Sequence, residues 1–500
     1  MFEPARQRPV VDNGYWRRIQ KHFLLAIGMG FLLLQILFLA NLTYLYGTIF
    51  KATSKVHNFN VLFVDYDDSG VIGQSVLAAY EMLKAPSFPT LIHHPVSQYP
   101  GTEHAYEAVC RGDYWATVYT HQGASERLAA AVTNETVAET YSQSPALSYV
   151  WNGARYSAFA EGYIMANLQK LIAASRVAYG HINGTGIVQS ATDLSKAATV
   201  NVLMDPLPAT EINIKPTTQG TRIFYNTVSM EMPILQQFFF LMALNGISSD
   251  FHLFHKLSPV ANSTLRTAVS TSYTLIASLC TTGYIWYFRD GWSVTPTHFT
   301  LTWMVLWLYM AINFNIMDIA TAYIDAKLMP FFMLTWLVVN AASSLAPLEL
   351  CPRFFRWGYA LPTHETYQLL IQIWSGDGCM DRASRALPIL FAWWVVGTAL
   401  AVMSVYRRCA HAVAAERSLA GEGEAGGRVG RAPGGVVGGG GKGEEQDRSP
   451  RSRSQSMVLR TVAGPEAVAL HGYKTQESIR LQRRAYGPSY PTPFVRGEGL

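Results

Sequence analysis

Six long apolar blocks constrain this chain more than any other feature of its sequence. Each block is 18–24 residues long and contains no acidic or basic side chain. A helix of about 20 residues crosses the hydrocarbon core of a bilayer. The blocks are residues 23–46, 232–249, 267–288, 299–317, 328–348 and 387–406. They predict a polytopic α-helical membrane protein with six transmembrane helices, of which five form a transmembrane domain at residues 231–407.

The first block has the length of a membrane anchor. The apolar region of a cleaved signal peptide is about 7–15 residues long and is followed by a small-residue cleavage site. Residues 23–46 form a longer block, which ends near Tyr44 and Tyr46 where an interfacial aromatic belt would lie. An uncleaved signal anchor is therefore favoured over a cleaved signal peptide.

Basic residues at both ends of the helical region predict the orientation. Arg17, Arg18 and Lys21 precede the first block, and Arg407 and Arg408 follow the last. Lysine and arginine concentrate on the cytoplasmic side of membrane proteins. We therefore predict a cytoplasmic N-terminus at residues 1–22 and a cytoplasmic tail at residues 408–500. We expect the plasma membrane, with an endomembrane as the alternative.

A domain-sized segment, residues 47–230, separates the first two blocks, and the orientation places it on the exoplasmic side. Its pattern is mixed α and β: an apolar strand at residues 59–64, a helix over Val71–Leu83, and an alternating strand at residues 210–216. Asn134 and Asn183 each begin an Asn-x-Thr glycosylation sequon here. The sequence thus predicts a mixed α/β exoplasmic domain, glycosylated at these asparagines.

Cysteine spacing offers no metal site and one candidate disulfide. The chain has five cysteines and no Cys-x-x-Cys pair. Cys351 and Cys379 both fall in the predicted outer loop at residues 349–386, where an oxidising compartment would permit a disulfide. We therefore consider this pairing, although connectivity does not follow from one sequence.

Polar amides interrupt two of the apolar blocks. Gln236, Gln237 and Asn245 lie in the second block, and Asn313 and Asn315 lie in the fourth. Such groups are costly in lipid and therefore face other helices or a wet cavity. They predict either a transport pathway or helix packing, with packing favoured for Asn313 and Asn315.

The C-terminal tail predicts disorder and no nucleotide site. Residues 421–443 are rich in glycine, and residues 448–456 form a basic serine run. Neither stretch can bury enough apolar surface to offset the entropy of ordering. The glycine run lacks the Gly-x4-Gly-Lys-Ser/Thr spacing of a phosphate loop. The chain therefore has no ATPase motif of its own.

Two clusters in the N-terminal half could carry chemistry but have simpler interpretations. Asp65, Asp67 and Asp68 follow an apolar strand, where carboxylates could hold Mg²⁺ in a phosphatase, but helix capping is favoured. The pattern predicts that His93 and His94 lie in a proline-rich loop without helical metal-ligand spacing. We predict that the protein is not an enzyme and has no catalytic, metal or cofactor site.

Four sequence stretches resemble the fungal nitrosoguanidine-resistance family, which is defined by the DUF3533 domain. They are residues 60–67 (NVLFVDYD) with Gly70 and Gly73, residues 109–116 (VCRGDYWA), residues 236–246 (QQFFFLMALNG) and residues 354–362 (FFRWGYALP). That family is similar in turn to YhgE and phage-infection membrane proteins and to ABC-2-type permeases. The resemblance covers about residues 15–410.

The resemblance implies resistance to toxic compounds, through export of amphipathic small molecules or movement of lipids by a permease-like protein. The partners expected with this resemblance are the lipid bilayer, amphipathic small molecules or lipids, and either a separate ATPase or a second copy of the chain. The net charge of +5 collects at the termini, so no nucleic acid is expected. The alternative is a non-transporting scaffold or receptor that uses the exoplasmic domain.

Overall fold

The computed structural model describes residues 13–68, 70–191, 193–325, 327–375, 382–428, 481 and 485–488. The described residues are mostly helical, at 72%, and include one small mixed sheet. Its compact regions form two units, treated separately below. The first comprises the described residues within Met1–Gln237, Thr271–Phe314 and Pro330–Val396, and the second those within Phe238–Ser270, Asn315–Met329 and Gly397–Leu500.

An α/β domain follows the N-terminal helix α1 (Asn13–Thr48). Its strands are β1 (Asn60–Asp65), β2 (Thr90–His94), β3 (Ala116–Thr120), β4 (Leu147–Trp151) and β5 (Ala209–Asn213). Its helices are α2 (Val71–Leu83), α3 (Thr102–Cys110), α4 (Ala124–Thr133), α5 (Glu135–Tyr141), α6 (Ser157–Phe159), α7 (Ala166–Ser190) and α8 (Ala197–Met204). A π-helical stretch, Ala160–Met165, joins α6 to α7.

The five strands lie in the order β2-β1-β3-β4-β5. Strand β1 is parallel to both β2 and β3, β4 is antiparallel to β3, and β5 is parallel to β4. The central strands β3 and β4 are buried along their whole length, which is typical of strands covered on both faces. On one face Leu62, Val64 and Val150 pack against helix α3 through Ala105 and Val109.

Most of the remaining described residues lie in further helices. They are α9 (Val228–Asp250), α10 (Leu253–Lys256), α11 (Pro259–Tyr287), α12 (Pro296–Tyr323), α13 (Met329–Leu345), α14 (Pro362–Trp374) and α15 (Ala383–Arg428). Every one of the six apolar blocks overlaps a helix. Among the described residues, three helical segments are long and apolar enough to cross a membrane: Gln20–Thr48, Pro296–Tyr323 and Ala383–Ser418.

Helices α13 and α11 lack either the length or the hydropathy of these three segments. Helix α13 has 17 residues and is therefore short, and α11 carries many serines and threonines that lower its hydropathy. Several of those hydroxyls bond to carbonyls of their own helix, such as Thr282 Oγ1 to Ser278 O at 2.9 Å. Six spans and the exoplasmic position of the α/β domain stay predictions.

The hydrophobic pattern of the sequence predicted several helices and strands and missed others. Helix α2 matches its predicted bounds, and β1 and β5 lie within one residue or a few of the predicted strands. His93 and His94 lie in strand β2 and not in a loop, because β2 pairs with β1 and becomes an edge of the sheet. Strand β4 was not predicted either, since its register depends on pairing with β3.

The outer loop and the tail are more ordered than their composition indicates. In the predicted outer loop, nearly all residues of helix α14 are buried. The predicted disordered tail began at residue 408, but α15 continues to Arg428 and residues 485–488 are packed. The glycine run beyond Arg428 and the serine run lie outside the described residues.

Candidate functional site

A large cavity in the first unit is the strongest candidate for a binding site. Its volume is about 960 Å³, within the size range of small-molecule sites. Helices α11, α12, α14 and α15 contribute to its wall. Its lining consists of Thr271, Thr295, Thr297, His298, Leu301, Met304, Val305, Trp307, Leu308, Ala311, Leu369, Gln372, Ile373, Ala383, Leu387, Phe391 and Trp394.

The periodicity of helix α12 explains why this wall is apolar. Leu301, Met304, Val305 and Leu308 follow the spacing i, i+3, i+4 and i+7, so they form one stripe along the helix. Helix α15 adds Leu387 and other apolar side chains to the lining. Two helices that each present an apolar stripe therefore enclose an apolar space.

The polar groups of the lining are few, and most are already bonded. Gln372 Oε1 accepts from the Ala383 backbone N–H at 2.8 Å. His298 Nδ1 accepts from the backbone N–H of Thr295 at 2.9 Å. The buried indole Nε1 of Trp307, in contrast, has no hydrogen-bond partner within the part of the chain that the structure describes. A bound molecule with an acceptor oxygen could satisfy this donor.

The asparagines of the fourth block do not line this cavity. Asn313 is fully buried; its Nδ2 donates to Tyr309 O at 2.9 Å and its Oδ1 accepts from Trp336 Nε1 at 3.0 Å. Asn315, in the second unit, donates to Thr398 Oγ1 at 3.0 Å. These bonds join helix α12 to α13 and to α15, which favours helix packing as their role.

The amides of the second block have three different environments. Gln236 is half-buried, and Gln237 is fully buried. Neither Nε2 nor Oε1 of Gln237 has a hydrogen-bond partner among the residues described. Asn245 is also fully buried, but both of its polar atoms are bonded. The sequence alone could not separate these cases, because partners come from distant segments.

A buried ionic triad in the second unit surrounds Asn245. Asp318 accepts from Arg266 Nη2 at 2.7 Å and from Arg408 Nη2 at 3.2 Å. Arg266 Nη2 also donates to Asn245 Oδ1 at 2.7 Å, and Arg408 Nη2 donates to Thr321 Oγ1 at 2.6 Å. Arg408 is fully buried, although its position after an apolar block indicates a solvated flank. The signal for this triad was Asp318 itself, since an acid at the end of an apolar helix requires a counter-charge.

A second polar group, the partly buried outer-loop cluster, consists of Arg155, Glu349, His364, Glu365 and Arg382 in the first unit. Arg155 stacks on Trp115, with its guanidinium carbon 3.5 Å from the ring centroid, and lies 3.5 Å from Glu349. Trp115 Nε1 donates to the same Glu349 carboxylate at 3.3 Å. The α/β domain and the outer loop are therefore joined by a charged contact.

Burial changes the pKa of two neighbours in this outer-loop cluster. Burial raises the pKa of Glu365 to about 7, against the opposing effect of Arg385 and Arg382. Burial lowers the pKa of His364 to about 4, although its Nδ1 lies 3.0 Å from Ser343 O. Since His364 is neutral near pH 7, it does not neutralise the Glu365 carboxylate, which lies 4.0 Å away. Perturbed acids of this kind mark groups that can take up or release a proton.

Asp65 and Asp67, at the C-terminal end of β1, accept hydrogen bonds from other residues of the α/β domain. Asp65 Oδ1 accepts from Thr120 Oγ1 at 2.6 Å, and Asp67 accepts from the backbone N–H and hydroxyl of Ser125 at the start of α4. A Cβ on Gly73 would lie 2.0 Å from Asp65, so glycine lets α2 approach this carboxylate. Asp67 thus caps helix α4, whereas α2 begins after Gly70 without a side-chain cap. In the described part of the chain, no group of three or more His, Cys, Asp or Glu residues is placed to hold a metal.

The predicted modification sites have distinct environments. Asn134 is exposed and caps helix α5, with its Oδ1 accepting from Thr136 N at 3.1 Å. Asn183 lies inside helix α7 and donates to Tyr179 Oη at 3.0 Å. Cys351 is a buried free thiol, so the candidate Cys351–Cys379 pairing is not formed. Cys110 is disulfide-bonded, and Cys379 lies outside the described residues. Burial raises the pKa of the Cys351 thiol to about 12, which keeps it protonated.

A family comparison accounts for most of the chain. A family model described as "Protein of unknown function (DUF3533)" matches residues 30–399. The chain therefore belongs to the DUF3533 family, as the four sequence stretches predicted. The match includes the α/β domain and the whole lining of the cavity, whereas residues 485–488 lie beyond it. No solved structure matches the chain.

Proposed function

We propose that this DUF3533 protein is an integral membrane protein that binds amphipathic small molecules or lipids in its helical cavity. Three apolar helices of spanning length are compatible with a membrane protein. We propose further that binding in the cavity contributes to resistance to toxic compounds by permitting their export or by moving lipids. The observation that carries the proposal is the apolar cavity of about 960 Å³.

The lining supports an amphipathic ligand better than a polar metabolite. Its aliphatic and aromatic side chains would gain about 25 cal/mol for each Å² of apolar surface that a ligand covers. Trp307 offers one unsatisfied N–H donor, while His298 and Gln372 supply polar edges. A ligand with a large apolar part and a small polar group matches this distribution.

The direct test measures binding to the purified full-length chain in lipid nanodiscs. The probe is a fluorescent lipophilic rhodamine cation, with a nitroxide-labelled phosphatidylcholine as the lipid arm. Trp307 and Trp394 line the cavity and serve as native reporters, because both probes quench indole fluorescence. We expect saturable quenching by at least one probe.

A cavity-filling variant locates the binding. Replacing both Ala311 and Leu387 by Trp places two indoles in the lining and should abolish saturable quenching. The matched control is Leu39→Trp, at a position 70% exposed on α1. Saturable binding that survives in the filled variant would place the site elsewhere. A wild-type chain that binds neither probe would favour the scaffold or receptor function of the α/β domain.

A cellular experiment then connects binding to resistance. Cells with the wild-type chain, the filled variant or no chain are loaded with the rhodamine cation, and its retention is measured with and without ATP depletion. Higher retention in both altered strains supports export, and loss of the difference after ATP depletion indicates a separate ATPase. Equal retention in all three strains contradicts export as the basis of resistance.

A further inference from the structure

The tail segment, residues 485–488 (Ala-Tyr-Gly-Pro), returns to the second unit and is bound there by side chains of distant helices. Arg408 Nη1 on α15 donates to Ala485 O at 3.3 Å and to Tyr486 O at 3.1 Å. Asn245 Nδ2 on α9 donates to Pro488 O at 3.1 Å. Three backbone carbonyls of the segment are thus recognised by two buried donors.

Side-chain packing adds sequence selectivity to this recognition. The ring of Tyr486 lies 5.1 Å from that of Phe254 and 6.0 Å from that of His255, between centroids. Tyr486 is 3% exposed and Ala485 is fully buried. They belong to one apolar cluster with Cys409 and its neighbours on α15. An aromatic side chain therefore fills a defined place beside α10.

Gly487 is required by its backbone conformation and by its surroundings. Its φ of +74° lies in the left-handed region that side chains disfavour. A Cβ here would lie 2.9 Å from Thr321 O and 3.2 Å from Arg408 Nη1. Any other residue at this position must displace the segment or the helices that hold it.

The donors that hold the segment are themselves held by the ionic triad. Arg408 uses Nη2 for Asp318 and Thr321, which leaves Nη1 for the tail carbonyls. Asn245 uses Oδ1 for Arg266, which orients its Nδ2 toward Pro488. The recognition groups are therefore positioned in advance by buried bonds that do not involve the tail.

From this geometry we propose that the second unit contains a peptide-binding groove, formed by Asn245, Phe254, Thr321 and Arg408, which the chain fills with its own tail segment. The groove selects a short peptide with a small residue, an aromatic residue, glycine and proline in succession. As an intramolecular latch, the segment links α9, α10, α12 and α15. This proposal does not depend on the function of the cavity.

The native thiols provide the test in the full-length chain in nanodiscs. Cys409 is 5% exposed within the apolar cluster that contains Ala485 and Tyr486, Cys351 is buried in the first unit, and Cys280 is exposed. Labelling by N-ethylmaleimide is followed at each cysteine by mass spectrometry. In the wild type we expect slow labelling at Cys409 and Cys351. Cys280 lies in the third apolar block, so the fast reference is each thiol in the chain denatured with sodium dodecyl sulfate.

Two variants should release the segment while preserving the rest of the fold. Gly487→Val and Tyr486→Ala should each accelerate Cys409 labelling by at least about tenfold, because the buried thiol then reacts without a local opening step. Tyr486→Phe retains the ring and should label as the wild type does. Gly291→Val is the control for the glycine change, since a Cβ on Gly291 meets nothing within 4 Å.

A peptide in trans distinguishes a binding groove from simple packing. A synthetic peptide of residues 481–490 should restore slow Cys409 labelling in Gly487→Val, whereas the same peptide with valine at the glycine should not. Equal Cys409 rates in the wild type and both releasing variants would overturn the latch. Released variants that the peptide never protects would overturn the groove.

Unfolding is recognised by its effect on Cys351. If Gly487→Val accelerates labelling of Cys351 as well as of Cys409, that variant has lost its fold. The comparison of Tyr486→Ala with Tyr486→Phe then tests the proposal, and Cys351 labelling again reports unfolding. If Cys409 in the native wild type reacts as fast as in the denatured chain, the segment does not occupy the groove and the proposal fails.

Discussion

The ionic triad and the outer-loop cluster use similar side chains but differ in how fully their charges are paired. In the triad, Asp318 lies between two arginines, and the three side chains are at most 7% exposed. In the outer-loop cluster, Glu349 is 31% exposed and Glu365 faces a neutral imidazole. A closed set of charges holds helices in place, whereas an incompletely paired set changes its protonation with pH.

The largest expected effect comes from breaking the triad. Asp318→Asn leaves Arg266 and Arg408 buried without their carboxylate, and removal of one partner of a buried ion pair costs about 3–5 kcal/mol. The free energy of unfolding is measured by titration with sodium dodecyl sulfate in mixed micelles. The control, Asp290→Asn, changes an exposed aspartate. A loss no larger than that of the control would show that the triad does not stabilise the fold.

The second effect is a pH dependence that originates at Glu365. Its pKa is raised in the folded state from 4.5 to about 7, so the folded protein binds more protons than the unfolded chain between these values. Stability should therefore fall as the pH rises from 4.5 to 7, by about 3 kcal/mol at 1.36 kcal/mol per pKa unit.

The variant Glu365→Gln isolates this contribution because it cannot ionise. The difference in unfolding free energy between wild type and variant should change across that pH window and be constant above it. His364 acts in the opposite direction, since its lowered pKa costs stability as the pH falls from 6.5 to about 4. Glu139→Gln, at an exposed position, is the control. Parallel profiles for wild type and Glu365→Gln would contradict the assignment.

A smaller effect tests whether the bonded amide of helix α9 supports the triad. Asn245→Leu removes the acceptor of Arg266 Nη2 and the donor to Pro488 O. Loss of a partner for a buried polar group costs about 1–3 kcal/mol. Unfolding in the same micelles should show this loss, together with faster Cys409 labelling. Unchanged values in both measurements would contradict the role assigned to Asn245.

The smallest effect concerns Gln237 on the same helix. Because neither of its amide atoms has a partner among the described residues, Gln237→Leu removes an unsatisfied group. We expect the free energy of unfolding to stay within about 0.5 kcal/mol or to rise. A loss comparable with that of Asn245→Leu would show that Gln237 has a partner, such as water or a bound molecule.

Some features could be predicted from the sequence because they depend on near neighbours. The apolar blocks, helix α2 and strand β1 follow from periodicity over ten to twenty residues, and the family follows from four short stretches. The candidate site could be predicted only in part. The sequence indicated polar amides inside apolar blocks, but it did not indicate that α12, α14 and α15 would enclose an apolar cavity.

What the sequence determined by itself is therefore the membrane-like character of the chain and the α/β nature of the intervening domain. Tertiary structure alone decided that Arg408 is buried, that Cys351 is a free thiol, and that Tyr486 returns to helix α10. The physical reason is the separation along the sequence over which each interaction acts. Hydropathy and helix propensity act between residues close in sequence, whereas ion pairing, thiol pairing and tail binding depend on groups that only folding brings together.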